Sequence, residues 1–194
     1  MPRPREFDAD DALERAMRVF WAKSYESTSL NDLCNATGLG RSSLYAAFGD
    51  KHTLYLQALD HYEDASAARM AAALAGPQPF RKAIAAVVER MIEDIVAGPG
   101  RRGCLIGNCA AEMARNDRTA AARVRRSLER IEAAIRDALE RARKRGEFAA
   151  RADVDALARF LTAGIQGLRL VGKANPDRAA LEDIASVMLR CLDR

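Results

Sequence analysis

The sequence predicts an all-α fold of roughly nine helices, and three observations carry that prediction. Apolar residues recur at helical three- and four-residue spacing over most of the chain, beginning with Leu13, Ala16, Met17 and Phe20. Breakers fall between the periodic segments, at GLG (38–40), GPQP (76–79), GPGRRG (98–103) and KANP (173–176). No segment alternates apolar and polar residues as a half-buried strand does, and no repeat of 20–50 residues is present.

Residues 8–24 form the first amphipathic helix, with Asp8, Asp10 and Asp11 at its positive N-terminal end. SYESTS breaks it. Thr28 or Ser29 caps the next helix, and Ser29-x-x-Asp32 matches the capping-box pattern. That second helix, 30–37, turns Leu30, Leu33, Cys34 and Ala36 inward and stops at Gly38. A third runs from about Arg41 to Phe48. Helices at 51–74, 80–97, 104–114, 118–145, 153–172 and 177–192 complete the chain. The organisation expected is an N-terminal three-helix unit over 1–50 and a helical bundle over 51–194.

A chain of 194 residues with 49% apolar and 30% charged content buries a sizeable core. The opening MPRPREFDAD lacks the apolar stretch of a signal peptide, and no run of 18 apolar residues suggests a membrane span. A cytoplasmic protein with no membrane association is expected. The four cysteines (Cys34, Cys104, Cys109, Cys191) are too few and too spread for a disulfide framework.

The formal charge of +4 does not identify a partner. Residues 1–60 hold 7 Lys and Arg against 9 Asp and Glu, leaving 24 against 18 in the remainder. Residues 115–145 carry 11 basic and 5 acidic side chains, which read as a solvated helix face with pairs such as Glu132–Arg136 rather than as a phosphate-binding stripe.

Charge placement near residue 40 is more informative. Two short helices joined by GLG have helix-turn-helix spacing, the glycine supplying a positive φ. Leu33, Leu39, Leu44 and Phe48 anchor the pair, and Cys34 is the small residue where the helices cross. Arg41, Ser42, Ser43 and Tyr45 then lie on the outer, N-terminal side of the second helix, the end that enters a major groove. An arginine forks onto guanine, serines reach base edges or phosphates, and a tyrosine hydroxyl meets a phosphate. Thr28 and Lys51 stand at helix starts, where free N–H groups favour phosphate oxygens, and Arg3 and Arg5 add positive charge. The competing reading is an ordinary helical hairpin with exposed polar groups.

Residues 8–60 resemble the N-terminal domain of TetR/AcrR-type transcriptional repressors. The resemblance rests on an aromatic-x-x-x-x-Tyr helix end, Thr-Ser at the next start, Gly-Leu-x-Arg at the turn and Leu-Tyr-x-x-Phe-x-x-Lys after it. It implies that Thr28, Arg41, Ser42, Ser43, Tyr45 and Lys51 contact double-stranded operator DNA and that the remaining helices bind an inducer and form a homodimer. Ala46 and Ala47 stand where many members carry bulky His or Tyr, so the operator sequence does not carry over.

GPGRRGCLIGNCAAEMARN is the most chemically loaded stretch outside the head. Cys104 follows Gly103 at a predicted helix start, with Arg101 and Arg102 before it, and both a helix N-terminus and adjacent cations stabilise a thiolate. Cys109 is too far round the helix for a strain-free bond to Cys104 unless the first turn melts; it is the second sensing candidate, against burial as a small apolar residue. The Gly-Cys-Leu-x-x-Asn-x-x-x-Glu segment is similar to one in the electrophile-sensing N-ethylmaleimide reductase repressor subgroup. That resemblance implies a cysteine working with a later lysine, which points to Lys173. Electrophile or oxidant sensing and reversible binding of an apolar small molecule both remain open.

Leu157, Leu161, Gly164 and Leu168 make one helical stripe, and Leu181, Ile184, Met188 and Cys191 another. With the resemblance, these are expected to form a four-helix dimer interface. An enzyme is not expected: His52 and His61 stand alone, and no HExxH, paired CxxC or phosphate-binding glycine loop occurs, so no metal or cofactor is expected. The other rival is a helical protein-interaction module without DNA binding.

Overall fold

The computed structural model describes residues 7–148 and 151–193, so Arg3 and Arg5 lie outside the described residues. Among the described residues there are nine α-helices: α1 (Ala9–Lys23), α2 (Leu30–Thr37), α3 (Arg41–Phe48), α4 (Lys51–Leu74), α5 (Phe80–Ala97), α6 (Leu105–Glu112), α7 (Arg118–Lys144), α8 (Val154–Ala174) and α9 (Arg178–Leu189). Short 3-10 turns at Pro99–Arg102 and Arg190–Leu192 are the additions to the expected order.

Local chemistry explains the boundaries. Carboxylates of Asp8, Asp50, Asp117, Asp153 and Asp177 accept backbone N–H bonds at the starts of α1, α4, α7, α8 and α9, each satisfying donors that the first helical turn leaves free. Ser29 and Asp32 form the reciprocal capping box of α2. Pro79 precedes α5, and the Phe80 N–H that it leaves free donates to Glu147 at 2.6 Å. Gly38 closes α2 at φ 73°, the left-handed conformation that a side chain would strain.

Two apolar clusters hold the molecule, and packing does not break at residue 50. The first joins α1, α2 and α3 through Phe20, Leu33, Leu44 and Phe48, then continues into the first half of α4 and into α6. The second fills the space between the end of α4 and α5, α7, α8 and α9. Helix α4 therefore belongs to both, which makes it the mechanical link between the head and the body. No helix among the described residues is long and apolar enough to cross a membrane.

The basic run on α7 departs from the solvated-face expectation. Arg123 pairs with Asp60, Arg126 with Asp60 and Glu63, and Arg130 with Glu63 and Asp64. These cations clamp α7 to α4, with Glu63 almost fully buried beneath them. Glu132–Arg136 forms as expected within the helix at 2.5 Å.

The expected dimer stripes need correction. Leu161, Leu168, Leu181 and Met188 are buried in the chain's own core, and Leu157 and Cys191 pack against it. Gly164 serves the same purpose, since an added Cβ would collide with Met188 of α9. Only Ile184 of those eight residues presents a large apolar side chain to solvent. The exposed apolar stripe runs instead through Phe160, Leu170 and Val171 on α8 and Ile184 and Val187 on α9. Helix α8 is apolar on two sides, and the α8–α9 packing within one chain consumes the side that the leucine spacing marked.

Candidate nucleic-acid interface and sensor cavity

Helix α3 divides its residues as the helix-turn-helix reading requires. Leu44 and Phe48 are buried, whereas Arg41, Ser42, Ser43 and Tyr45 are exposed, as are Ala46 and Ala47. Gly40 stands at the helix start without a side-chain cap. The first N–H groups of α3, next to Arg41, therefore receive no side-chain oxygen from that residue. Lys51 begins α4 and holds its ammonium 4.4 Å from the centre of the Tyr25 ring, a cation–π contact that fixes it beside α3.

Thr28 is corrected: it is buried, and its hydroxyl donates to the Ser24 carbonyl at 2.6 Å. Ser29, not Thr28, caps α2. Thr37 was not singled out by pattern, yet its hydroxyl donates to the Leu33 carbonyl at 2.8 Å and accepts from the Leu39 N–H at 3.3 Å. It thereby fixes the turn into α3.

Cys104 is the N-cap of α6 and is buried against the molecule while lining a cavity of about 790 Å³. Gly107 and Asn108 of α6 and Gln166, Arg169 and Lys173 of α8 form much of the rest of the wall. Tyr62 of α4 aims its hydroxyl at the Cys104 sulfur at 3.8 Å. Arg169 donates to that same hydroxyl oxygen at 3.4 Å. Burial raises the Tyr62 pKa, so the phenol is neutral and works as a donor.

The cation that reaches Cys104, through the Tyr62 hydroxyl, is Arg169. Lys173 lines the same cavity, but its ammonium bonds the Asn108 side-chain oxygen at 2.8 Å and its stem lies against Gly103. Arg102 is turned away over the Trp21 ring. Cys109 is corrected too: it is fully buried, and burial pushes its thiol pKa up. Nothing in the local pattern around Arg169 marks it; only the approach of α8 to α4 brings it to the Tyr62 hydroxyl.

Contacts lead from this cavity to the head. Trp21 of α1 donates its indole N–H to the Gly103 carbonyl at 3.2 Å and stacks edge-on against Tyr62. Glu112, at the end of α6, accepts the backbone N–H groups of Tyr25 and Glu26 at 3.1 and 2.9 Å. His52 of α4 meets Asp117 at 2.5 Å. Backbone N–H groups of α7, first that of Ala120, and the His52 contact hold the Asp117 pKa below the usual carboxylate range.

Comparison with known proteins bears on both ends of this arrangement. Residues 12–58 match the model of bacterial regulatory proteins of the tetR family, and residues 79–188 match the tetracyclin repressor-like C-terminal domain. The uncharacterized HTH-type transcriptional regulator YezE of Bacillus subtilis is 32% identical over 194 residues, covering 100% of both chains. The HTH-type transcriptional repressor ComR of Escherichia coli is 33% identical over 196 residues, covering 97% of this chain and 90% of that one. A cysteine mutant of the TetR family transcriptional regulator CifR, solved with a 26-bp double-strand operator DNA, is similar with a TM-score of 0.83 and 32% identity over 97% of this chain and 98% of the other.

Proposed function

The chain belongs to the TetR family of bacterial regulatory proteins, DNA-binding transcriptional regulators and not enzymes, and on that premise we propose that it is a homodimeric repressor released from its operator by a signal at the Cys104 cavity. The observation that carries the DNA end is the division of α3, with Leu44 and Phe48 inside and Arg41, Ser42, Ser43 and Tyr45 outside. Arg41 reads a base edge while the serines, Tyr45 and Lys51 engage phosphates. Residues 1–50 act as the reading head, although α4 is shared in packing with the body. The CifR complex with operator DNA supports that end of the reading by likeness.

At the sensing end, the Tyr62 hydroxyl is aimed at the Cys104 sulfur and Arg169 stands on that hydroxyl, so the thiol lines the cavity with a phenol donor and a cation close by. Addition to an activated alkene forms one C–S bond, and the alkene electron pair takes the proton that the thiol surrendered; nothing leaves. Gly103 precedes the modified residue and the Tyr62 hydroxyl loses the free thiol as its partner, so an adduct bears on both. Each is in contact with Trp21, so α1 and α4 move with them. Two heads shifted away from the one-turn half-site separation of about 34–36 Å lose joint contact with the operator. Cys109, fully buried, takes no part.

The test is fluorescence anisotropy on DNA from upstream of the chain's own gene. Arg41→Ala lowers affinity by about 1–3 kcal/mol and relaxes sequence preference, whereas Lys51→Ala weakens binding evenly across sequences and reduces the slope of log K against log salt by about one phosphate contact per subunit. Cys104→Ser binds DNA but is not released by N-ethylmaleimide or hypochlorite, both of which release the parent protein. Equal release of parent and Cys104→Ser overturns the thiol trigger; no DNA binding by the parent overturns the repressor reading.

A further inference from the structure

Arg169 and Lys173 lie one helical turn apart on α8, and both face the cavity that Cys104 lines. Their partners are neutral. Arg169 meets the Tyr62 hydroxyl, and Lys173 meets the Asn108 carboxamide. Neither pairs with a carboxylate among the described residues. Glu112 lines another part of the wall, but its carboxylate is held by the N–H groups of Tyr25 and Glu26.

Arg169 is half-buried at this wall without a counter-ion, which is costly because neutral hydrogen bonds replace only part of its lost hydration, while Lys173 stands exposed on the same wall and adds a second positive charge. The guanidinium also keeps donors that Tyr62 does not use, and a carboxylate fills such a fork with two bonds. The remainder of the wall is mostly small or apolar, with Gly107, Ala110, Ala111, Gly167 and Leu170. A cavity of about 790 Å³ with that lining takes a small organic molecule rather than a bare ion.

We propose that the inducer of this protein is an organic carboxylate with an apolar body, its carboxylate held by Arg169 and Lys173 and its body lying along α6 beside Cys104. This rests on the reading of the Cys104 cavity as the signal site and specifies the chemistry that the site accepts. Seating the carboxylate draws Arg169 from Tyr62, whose ring lies against Trp21 of the head. A reversible ligand and a thiol-directed electrophile thus act through the same tyrosine.

Isothermal titration of the full-length protein without DNA tests this with three probes, benzoate, cinnamate and octanoate, each beside its neutral amide. At least one acid binds and its amide binds at least about ten-fold more weakly. Arg169→Gln weakens that acid roughly ten- to a hundred-fold, as loss of a charged hydrogen-bond pair implies. Arg169→Lys, which keeps the charge, retains part of the affinity, and Lys173→Gln weakens the acid while leaving Arg169 in place. The bound acid also releases operator DNA in the anisotropy assay. Amides binding as well as acids, acids binding Arg169→Gln as well as the parent, no acid binding the parent, or binding without release each overturns the proposal. Release by N-ethylmaleimide through Cys104 is scored separately, so the sensing site itself stands or falls on that result.

Discussion

The indole N–H of Trp21 donates to the carbonyl oxygen of Gly103 at 3.2 Å. One bond thus joins a helix of the reading head to the residue that precedes Cys104. Its partners stand 82 residues apart along the chain, and it ends on the loop that leads into the proposed sensor.

Trp21→Phe keeps an aromatic ring against Tyr62 and removes the donor. The partly buried Gly103 carbonyl then loses its partner, at a stability cost of about 1 kcal/mol. Operator affinity of the resting protein stays close to that of the parent, because Trp21 is remote from the exposed side of α3. Release by N-ethylmaleimide falls, which anisotropy at saturating modification measures. Unchanged release places the relay in Tyr62 or Glu112 instead.

Glu63 of α4 carries a second dependence. Its carboxylate is almost fully buried and accepts from Arg126 and Arg130 of α7 at 3.1 Å each. Hydrogen bonds donated to Glu63 and Asp60 raise the Arg126 pKa, and those donated to Asp64 and Glu63 raise that of Arg130. Glu63→Gln replaces an ion with an amide that cannot serve both guanidinium groups. A loss of about 1–3 kcal/mol is expected in urea unfolding, the half-exposed arginines recovering water and so limiting the penalty. Arg130→Ala costs less, since Arg126 still covers Glu63.

Acid weakens the head in a defined window. The Lys23 side chain, then Ser29, holds the Asp32 pKa down to about 2, below its usual 3.8. A carboxylate with a depressed folded pKa contributes stability above its unfolded pKa and loses that contribution as pH falls through the folded value. The melting temperature of the parent therefore drops between about pH 4 and pH 2, partly through this residue. Asp32→Ala, which also lacks the capping box of α2, is less stable at pH 7 and loses less over the same interval. Thermal melts followed by circular dichroism at stepped pH check the difference in slope, and parallel curves place the acid sensitivity elsewhere.

The pattern of the sequence carried the helices because their ends are local chemistry. Asp8, Ser29, Asp50, Asp117, Asp153 and Asp177 each cap the helix that follows within three residues. The outward set on α3 was legible for the same reason, as Leu44 and Phe48 fix its phase. Contacts between distant helices were not. Nothing near Arg169 distinguishes it from other arginines, and Lys173 shares its side of α8, so spacing alone could not choose which one reaches Cys104. Thr28 failed as a surface candidate because its hydroxyl satisfies a carbonyl four residues back, a bond open to any threonine at the end of a helix.

The same limit governs the proposed dimer, where the two apolar sides of α8 can be told apart by experiment. Leu168 is fully buried, whereas Val187 is 57% exposed and Phe160 49% exposed. A charge at Leu168 enters the core without a partner, so Leu168→Asp unfolds the chain or leaves it several kcal/mol less stable, about the cost of burying an unpaired ion. Val187→Asp puts its charge in water in the monomer and costs little stability by itself. If the Phe160, Val171, Ile184 and Val187 stripe is covered by a second copy, that same charge is buried twice across a two-fold axis, where the carboxylates also repel. Val187→Asp is then monomeric in sedimentation at concentrations where the parent is a dimer, keeps the parent's helical circular dichroism, and binds the two-fold operator far more weakly. A dimeric Val187→Asp moves the interface off this stripe. A folded Leu168→Asp monomer returns it to the leucine side, because only an exposed Leu168 tolerates the charge.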